Sequence, residues 1–89
     1  MIDVDLNKII RAAEIYNKYR APEAIAEFHS IRNNRIIFIL KGSFCLTCGV
    51  YDWIDDLRIE LMDALNRDIE IENIENIDFS VYKIIFRLK

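Results

Sequence analysis

The chain has 89 residues, which is the length of a single domain, so we expect one folded unit over residues 1–89. Its hydrophobic content of 53% exceeds the roughly 45–50% of typical domains, and some apolar surface should remain for a subunit interface. The net charge of −3, with both signs mixed along the chain, disfavours a general nucleic-acid binder, because such proteins need a basic patch.

The first forty residues predict two helices and a strand. Asp3–Tyr19 carries apolar residues at three- and four-residue spacing, which is typical of an amphipathic helix. Proline favours the first turn of a helix, so we expect a second helix over Pro22–Ile31. Asn33-Asn34 would end that helix. Arg35–Leu40 is apolar on both faces, which predicts a central strand covered on both sides.

The middle of the chain holds one ambiguous segment and one clear helix. Phe44–Thr47 fits either a second strand of a hairpin or a loop that carries two cysteines to the next helix. That helix has a long apolar stripe, and Asp52 is its expected cap. Asp55 and Asp56 then fall in the first turn, where carboxylates interact favourably with the helix dipole. We prefer this capping role to a calcium site, because the glycine and glutamate of a calcium loop are missing.

The C-terminal third predicts two strands. Ile69–Glu72 alternates strictly between apolar and charged residues, as a half-buried strand does. Asn73–Asp78 is expected to be a loop, and Phe79–Leu88 the last strand. The order α-α-β-(β)-α-β-β predicts an α+β fold of two layers, with a three- to four-stranded sheet and helices packed mainly on one face.

Cys45 and Cys48 form the one motif whose spacing suggests chemistry, and three interpretations stay open. In the first, both side chains are buried and act as small hydrophobic residues. In the second, they supply two thiolates of a structural zinc site. His29 is the single histidine of the chain, so two subunits facing each other would complete the four ligands.

The third interpretation rests on the order strand, short glycine-containing turn, Phe44, Cys-x-x-Cys and helix. Over residues 35–67 this order resembles that of thioredoxin-like proteins, in which a helix N-terminus lowers the pKa of the attacking thiol. The resemblance implies a thiol–disulfide oxidoreductase with Cys45 as the nucleophile and Cys48 as its partner. The sequence departs from that family in lacking a later proline to face the disulfide, since its one proline is Pro22.

The last predicted strand carries the clearest candidate surface for self-association. Its even-numbered residues from Tyr82 to Leu88 form one apolar face, which is expected to be core. If helices cover that face alone, the other face is partly apolar and exposed to water, which is typical of a subunit contact. The candidate interface residues on this strand are Phe79, Val81, Lys83, Ile85 and Arg87. Tyr51 and Trp53 are further candidates, because large amphipathic side chains are enriched at interfaces.

Together these patterns favour a small binding or assembly module that forms a homo-oligomer, with neither catalysis nor a cofactor assigned. Another protein is a second kind of partner. No stretch approaches about 18 apolar residues, so no membrane partner is expected. Asp3 and Asp5 stand where a secretory signal would be basic, and two cysteines are few for a secreted scaffold, so we expect a cytoplasmic location. The absence of glutamine would suit a thermophilic source.

The redox interpretation predicts that Cys45→Ser abolishes catalysed reduction of insulin by dithiothreitol, because the attacking sulfur is gone. A wild-type chain that leaves the uncatalysed rate unchanged would exclude this activity.

Overall fold

The computed structural model describes residues 6–21, 23–42 and 50–89. Two helices pack on one face of a four-stranded antiparallel sheet, which confirms the predicted two-layer α+β architecture. The elements in chain order are α1 (Leu6–Arg20), β1 (Ile25–Arg32), β2 (Arg35–Lys41), α2 (Val50–Leu65), β3 (Ile69–Asp78) and β4 (Val81–Leu88). The strand order is β1-β2-β4-β3, so β1 and β3 are the edges of the sheet.

The core lies between the helix pair and one face of the sheet. Phe38 of β2 is fully buried at its centre, with the rings of Phe28 and Phe86 edge-on to it at 5.9 and 6.1 Å between centroids. Other fully buried side chains come from both helices and both central strands: Ile9, Tyr16, Ile36, Leu40, Ile54, Leu57, Leu61 and Ile84. The predicted inward face of the last strand is therefore confirmed for Ile84 and Phe86.

The predicted second helix over Pro22–Ile31 was wrong, because Ile25–Arg32 is strand β1. Ile25, Phe28 and Ile31 recur every three residues, which imitates a helix face. The register against β2 shifts between Phe28 and Ser30, so one extra residue is inserted there. After that shift Phe28 and Ile31 both pair with inward-facing residues of β2, although an unbroken strand would place them on opposite faces.

The predicted loop over Asn73–Asp78 was wrong for the same reason. Strand β3 continues to Asp78 with two register shifts against β4, one of them between Ile71 and Asn73. Because of that shift, Ile71 and Ile74 both pair with inward-facing residues of β4. Strand β4 begins at Val81, and Phe79-Ser80 forms the turn before it.

The remaining predicted boundaries need smaller changes. Helix α1 ends at Arg20, close to its predicted end, whereas its predicted first residues lie outside the described part. Helix α2 begins at Val50, so Asp52 lies within its first turn and is not its cap. Phe44–Thr47 and both cysteines lie outside the described residues. Asn66, with a φ of 54°, ends α2 in the left-handed conformation that asparagine tolerates.

Tyr16 ties the two helices together. Its hydroxyl donates a hydrogen bond to the carbonyl oxygen of Trp53, with 2.9 Å between the oxygens. The guanidinium of Arg20 lies 4.5 Å from the centre of the Tyr16 ring and also forms an ion pair with Asp56 at 3.4 Å. Burial raises the pKa of the Tyr16 phenol well above its usual range, so the hydroxyl stays a donor at every physiological pH.

Asn17 fixes α1 to the edge of the sheet. Its Nδ2 donates to the carbonyl oxygen of Ala26 at 3.0 Å, and its Oδ1 accepts from the Ala26 amide at 2.7 Å. The side-chain amide therefore satisfies both backbone groups of Ala26, as a neighbouring strand would. No strand can pair with β1 at Ala26 while Asn17 stays in place.

We expect Asn17→Leu to lower the free energy of unfolding by about 2–3 kcal/mol, because it leaves a backbone donor and an acceptor unsatisfied. Urea unfolding measures the change. Glu14→Leu is the matched control, since Glu14 is exposed on the same helix, and it should change stability by less than about 0.5 kcal/mol. An equally small effect at Asn17 would show that water replaces the side-chain amide at no cost.

Candidate interaction surface

The face of the sheet that points away from the helices is named here the open face. No described helix or loop packs on it, whereas the inward-facing residues of β2 are fully buried. Pairing in the ladders places four residues of each strand on it. They are Ile25, Glu27, Ser30 and Arg32 of β1, Arg35, Ile37, Ile39 and Lys41 of β2, Val81, Lys83, Ile85 and Arg87 of β4, and Glu70, Asn73, Glu75 and Asp78 of β3.

Ile37, Ile39 and Ile85 form the centre of the open face, named here the isoleucine patch. Ile37 lies directly opposite Ile85 in the β2–β4 ladder, and Ile39 is the next open-face residue of β2. All three are half-buried, since only their lateral neighbours shield them. A one-sided antiparallel sheet normally carries polar residues on its solvent face, so three adjacent isoleucines depart from that pattern.

Strand β2 was predicted to be covered on both sides. The helices cover its inward face, where Ile36, Phe38 and Leu40 are fully buried. On its other face, Ile37 and Ile39 have no described element above them. Coverage is therefore confirmed for one face of β2 only.

Ion pairs within the sheet surround the isoleucine patch. Arg35 Nε lies 2.7 Å from a carboxylate oxygen of Glu72, and Arg87 Nη2 lies 2.5 Å from Glu70. Lys41 Nζ lies 3.1 Å from a Glu27 oxygen on the opposite side of the face. With Glu72 included, the open face carries five cations and five acids, so its formal charge is balanced.

Hydrogen bonds between charged side chains also shift the pKa values of Glu70 and Arg35. Hydrogen bonds from Arg87 and then from Lys89 hold the pKa of the Glu70 carboxyl below its ordinary value. A hydrogen bond to Glu72 raises the pKa of Arg35 in the same way. The Glu70 carboxylate therefore stays ionised beside the patch and neutralises Arg87.

The structure separates the candidate interface residues into three places. Val81, Lys83, Ile85 and Arg87 share the open face, as the alternation predicted. Phe79 lies in the β3–β4 turn with 81% of its surface exposed. The other two candidates, Tyr51 and Trp53, lie on helix α2 in the opposite layer of the domain.

Tyr51 and Trp53 do not meet the open face, because α2 packs on the other side of the sheet. Trp53 is partly buried against the core, and Tyr51 is 58% exposed. His29 is exposed in β1, where its Nδ1 lies 2.9 Å from the hydroxyl of Ser30. Cys45 and Cys48 lie outside the described residues, so the zinc and redox interpretations stay predictions.

The sequence did not predict the contribution of three strands to this surface. Strand β1, which was predicted as a helix, places four residues on it. Ile37 and Ile39 were expected under a second layer of the same domain. Glu75 and Asp78 were assigned to a loop, although β3 carries both on the open face. The signal for them was present in the spacing of Ile71, Ile74 and Ile77, provided that a bulge was allowed between the first two.

Two concave regions lie on the helix side of the molecule. A groove of about 390 Å³ between α1 and α2 has an apolar floor, with Lys8 and Arg11 on one wall and Glu60 and Asp63 on the other. A larger cleft of about 590 Å³ separates α2 from β3, and it is named here the edge cleft. Its lining residues are Tyr51, Asp55, Arg58, Met62, Asp68, Ile69, Glu70, Ile71 and Lys89.

Within the described ranges, no three histidine, cysteine or acidic side chains lie close enough together to hold a metal ion. None of the described helices is long and apolar enough to cross a membrane. Comparison with protein families, with curated proteins and with solved structures finds no match to this chain.

The lowered pKa of Glu70 predicts that part of the free energy of unfolding is lost at acidic pH. A carboxyl with a depressed pKa in the folded state stabilises the fold above its unfolded pKa, and this contribution is lost as the pH falls through the folded value. Glu70→Gln should therefore flatten the decline in unfolding free energy between about pH 5 and pH 3. Urea unfolding at several pH values measures the slope.

Glu75→Gln is the matched control, since Glu75 lies on the same strand and face but forms no ion pair with a described residue. Its slope should stay close to that of the wild type. Equal slopes for Glu70→Gln and the wild type would contradict a stabilising role for the contacts of Glu70 with Arg87 and Lys89.

Proposed function

We propose that this chain is an assembly module that forms a homodimer through the open face. The isoleucine patch is the observation that carries the proposal. Ile37, Ile39 and Ile85 are contiguous, apolar and without cover among the described residues. A second copy supplies the missing layer, because the same patch on its own open face is equally in need of burial.

The size of the open face is compatible with a small subunit contact. Strands spaced by about 4.8 Å and rising about 3.3 Å per residue give four strands of about eight residues a face of roughly 19 by 26 Å. Side-chain relief makes the accessible area larger than this projection. The face therefore comes within reach of the roughly 800 Å² per partner that standard interfaces bury.

The charges of the face favour a copy of the chain over a nucleic acid. Phosphate binding requires cations that are free to neutralise it, whereas three of the five cations of the face, Arg35, Arg87 and Lys41, are already paired with acids. Two balanced faces approach each other without net repulsion. Paired charges at the rim and apolar side chains at the centre are also the usual anatomy of an interface.

In the proposed dimer, two sheets stack face to face at about 10 Å, with strand directions within about 30° of each other. The isoleucines of both copies interdigitate and form a second core between the sheets. The helices then lie on the two outer surfaces, where they leave both core layers undisturbed.

Ile85→Glu tests this interface. The variant should be monomeric at concentrations where the wild type is dimeric, because dimerisation would bury a carboxylate without a partner. Sedimentation velocity measures the mass, and circular dichroism confirms that the variant is folded. Ile59→Glu is the matched control, since Ile59 is 41% exposed on the outer surface of α2, and it should leave the dimer intact.

Two results would contradict the proposal: a wild-type chain that is monomeric at about 100 µM, or a folded Ile85→Glu variant that assembles like the wild type. Ile37→Glu provides a second, independent change on the opposite strand of the patch. Native mass spectrometry of the same samples counts subunits and also detects zinc or a disulfide, which tests the two chemical interpretations of Cys45 and Cys48.

A further inference from the structure

The charged side chains of the open face differ in whether they have a partner in their own sheet. Six of them form three ion pairs within the sheet: Lys41 with Glu27, Arg35 with Glu72 and Arg87 with Glu70. The other four form no ion pair with a described residue, and they are the cations Arg32 and Lys83 and the acids Glu75 and Asp78. The face therefore carries two cations and two acids whose charge is available to a facing copy.

The open face is electrically balanced only while its acids are ionised. Arginine and lysine stay protonated well above neutral pH, whereas carboxyl groups of proteins protonate around about pH 4. With its acids neutral, the face keeps its five cations, and the two facing sheets of a dimer keep ten. The sheets of the proposed dimer lie about 10 Å apart, so like charges then oppose each other across the contact.

The neighbouring charged groups act in the same direction. Lys89 Nζ lies 3.3 Å from a carboxylate oxygen of Glu70 and stays charged in acid. His29 is exposed in β1, where the register shift between Phe28 and Ser30 inserts it, and it gains a positive charge on acidification. The charges of both helices lie in the other layer of the domain and do not face the contact. Each change of charge that acid brings to the open face is therefore in the positive direction.

We propose that acid dissociates the open-face dimer, which makes the assembly of this chain dependent on pH. Such a switch acts at the interface of the proposed function and therefore rests on it. Because protonated faces repel each other, the monomer takes up more protons than the dimer as the pH falls. By linkage, the dimer is stable where the acids of the face are ionised, and it is lost as the pH falls through their titration.

The acids of β3 contribute unequally to this switch. Hydrogen bonds from Arg87 and then from Lys89 hold the pKa of Glu70 below its ordinary value, so its charge persists into acid. Glu75 and Asp78 have no ion-pair partner among the described residues, so their charge is free to act on the cations of the facing copy. These two acids are therefore the positions where neutralisation should weaken the dimer with the least effect on the fold.

The first test compares the wild-type chain at pH 7 and at pH 4 by sedimentation velocity. We expect the dissociation constant of the dimer to be at least about tenfold higher at pH 4, while circular dichroism shows the same fold at both pH values. In about 0.5 M NaCl the difference should become smaller, because salt screens the repulsion between exposed charges.

The second test removes two acidic charges at constant pH. Glu75→Gln combined with Asp78→Asn should raise the dissociation constant at pH 7 at least about threefold, because each face is left with two uncompensated cations. Asparagine can still accept the hydrogen bond that Asp78 Oδ1 takes from the Phe79 amide at 2.7 Å. Glu60→Gln combined with Asp63→Asn is the matched control, since it removes two acids from α2 in the other layer and should leave the constant unchanged.

The two tests also separate the switch from the dimer on which it depends. A wild type that is monomeric at pH 7 and about 100 µM overturns both together. A dimer that is folded and has the same dissociation constant at pH 7 and pH 4 overturns the switch alone. Should the chain unfold at pH 4, the variants decide at pH 7, where equal constants for the two double variants overturn the switch.

Discussion

The structure depends on the match between the width of two helices and the width of a four-stranded sheet. Helices are about 10 Å across, so two of them cover the width of four strands, which is roughly 19 Å. The described helices therefore cover the middle of one face of the sheet, where Phe38 is fully buried. Strand β2 carries isoleucines on its second face as well, where the described part of the chain places no further layer. The contrast between the covered face and the open face follows from this one constraint.

The side chains that attach the helices also determine which edges of the sheet remain usable. Asn17 on α1 completes the hydrogen bonds of β1 at Ala26, and Arg58 on α2 does so only in part for β3. The same hydrogen bonds thus attach a helix to the sheet and protect part of a sheet edge. The two contacts differ, because Asn17 satisfies both backbone groups of Ala26, whereas Arg58 satisfies only the carbonyl of Ile69.

The sequence predicted the elements whose apolar period is unbroken. Helices α1 and α2 and the inward face of β4 were found because each repeats at one period, and strand β2 was found because it is a continuous apolar run of strand length. Strand β1 and the second half of β3 were missed where a bulge changes the spacing of inward residues from two to three, as between Phe28 and Ile31. The β4 part of the open face was predicted, because strict alternation places Val81, Lys83, Ile85 and Arg87 on one side of the strand. The acids Glu75 and Asp78 of β3 were missed, because they follow a bulge.

The strand order has a consequence for how the chain folds. Strands β1 and β2, like β3 and β4, are joined by two-residue turns, so each pair closes between neighbours in the sequence. The β2–β4 ladder instead joins Lys41 with Val81 at its nearest point, across the whole of α2. Loop-closure entropy must be overcome there before any contact is gained. We therefore expect this central ladder to form after the two hairpins, so substitutions in either hairpin turn should slow folding more than they speed unfolding.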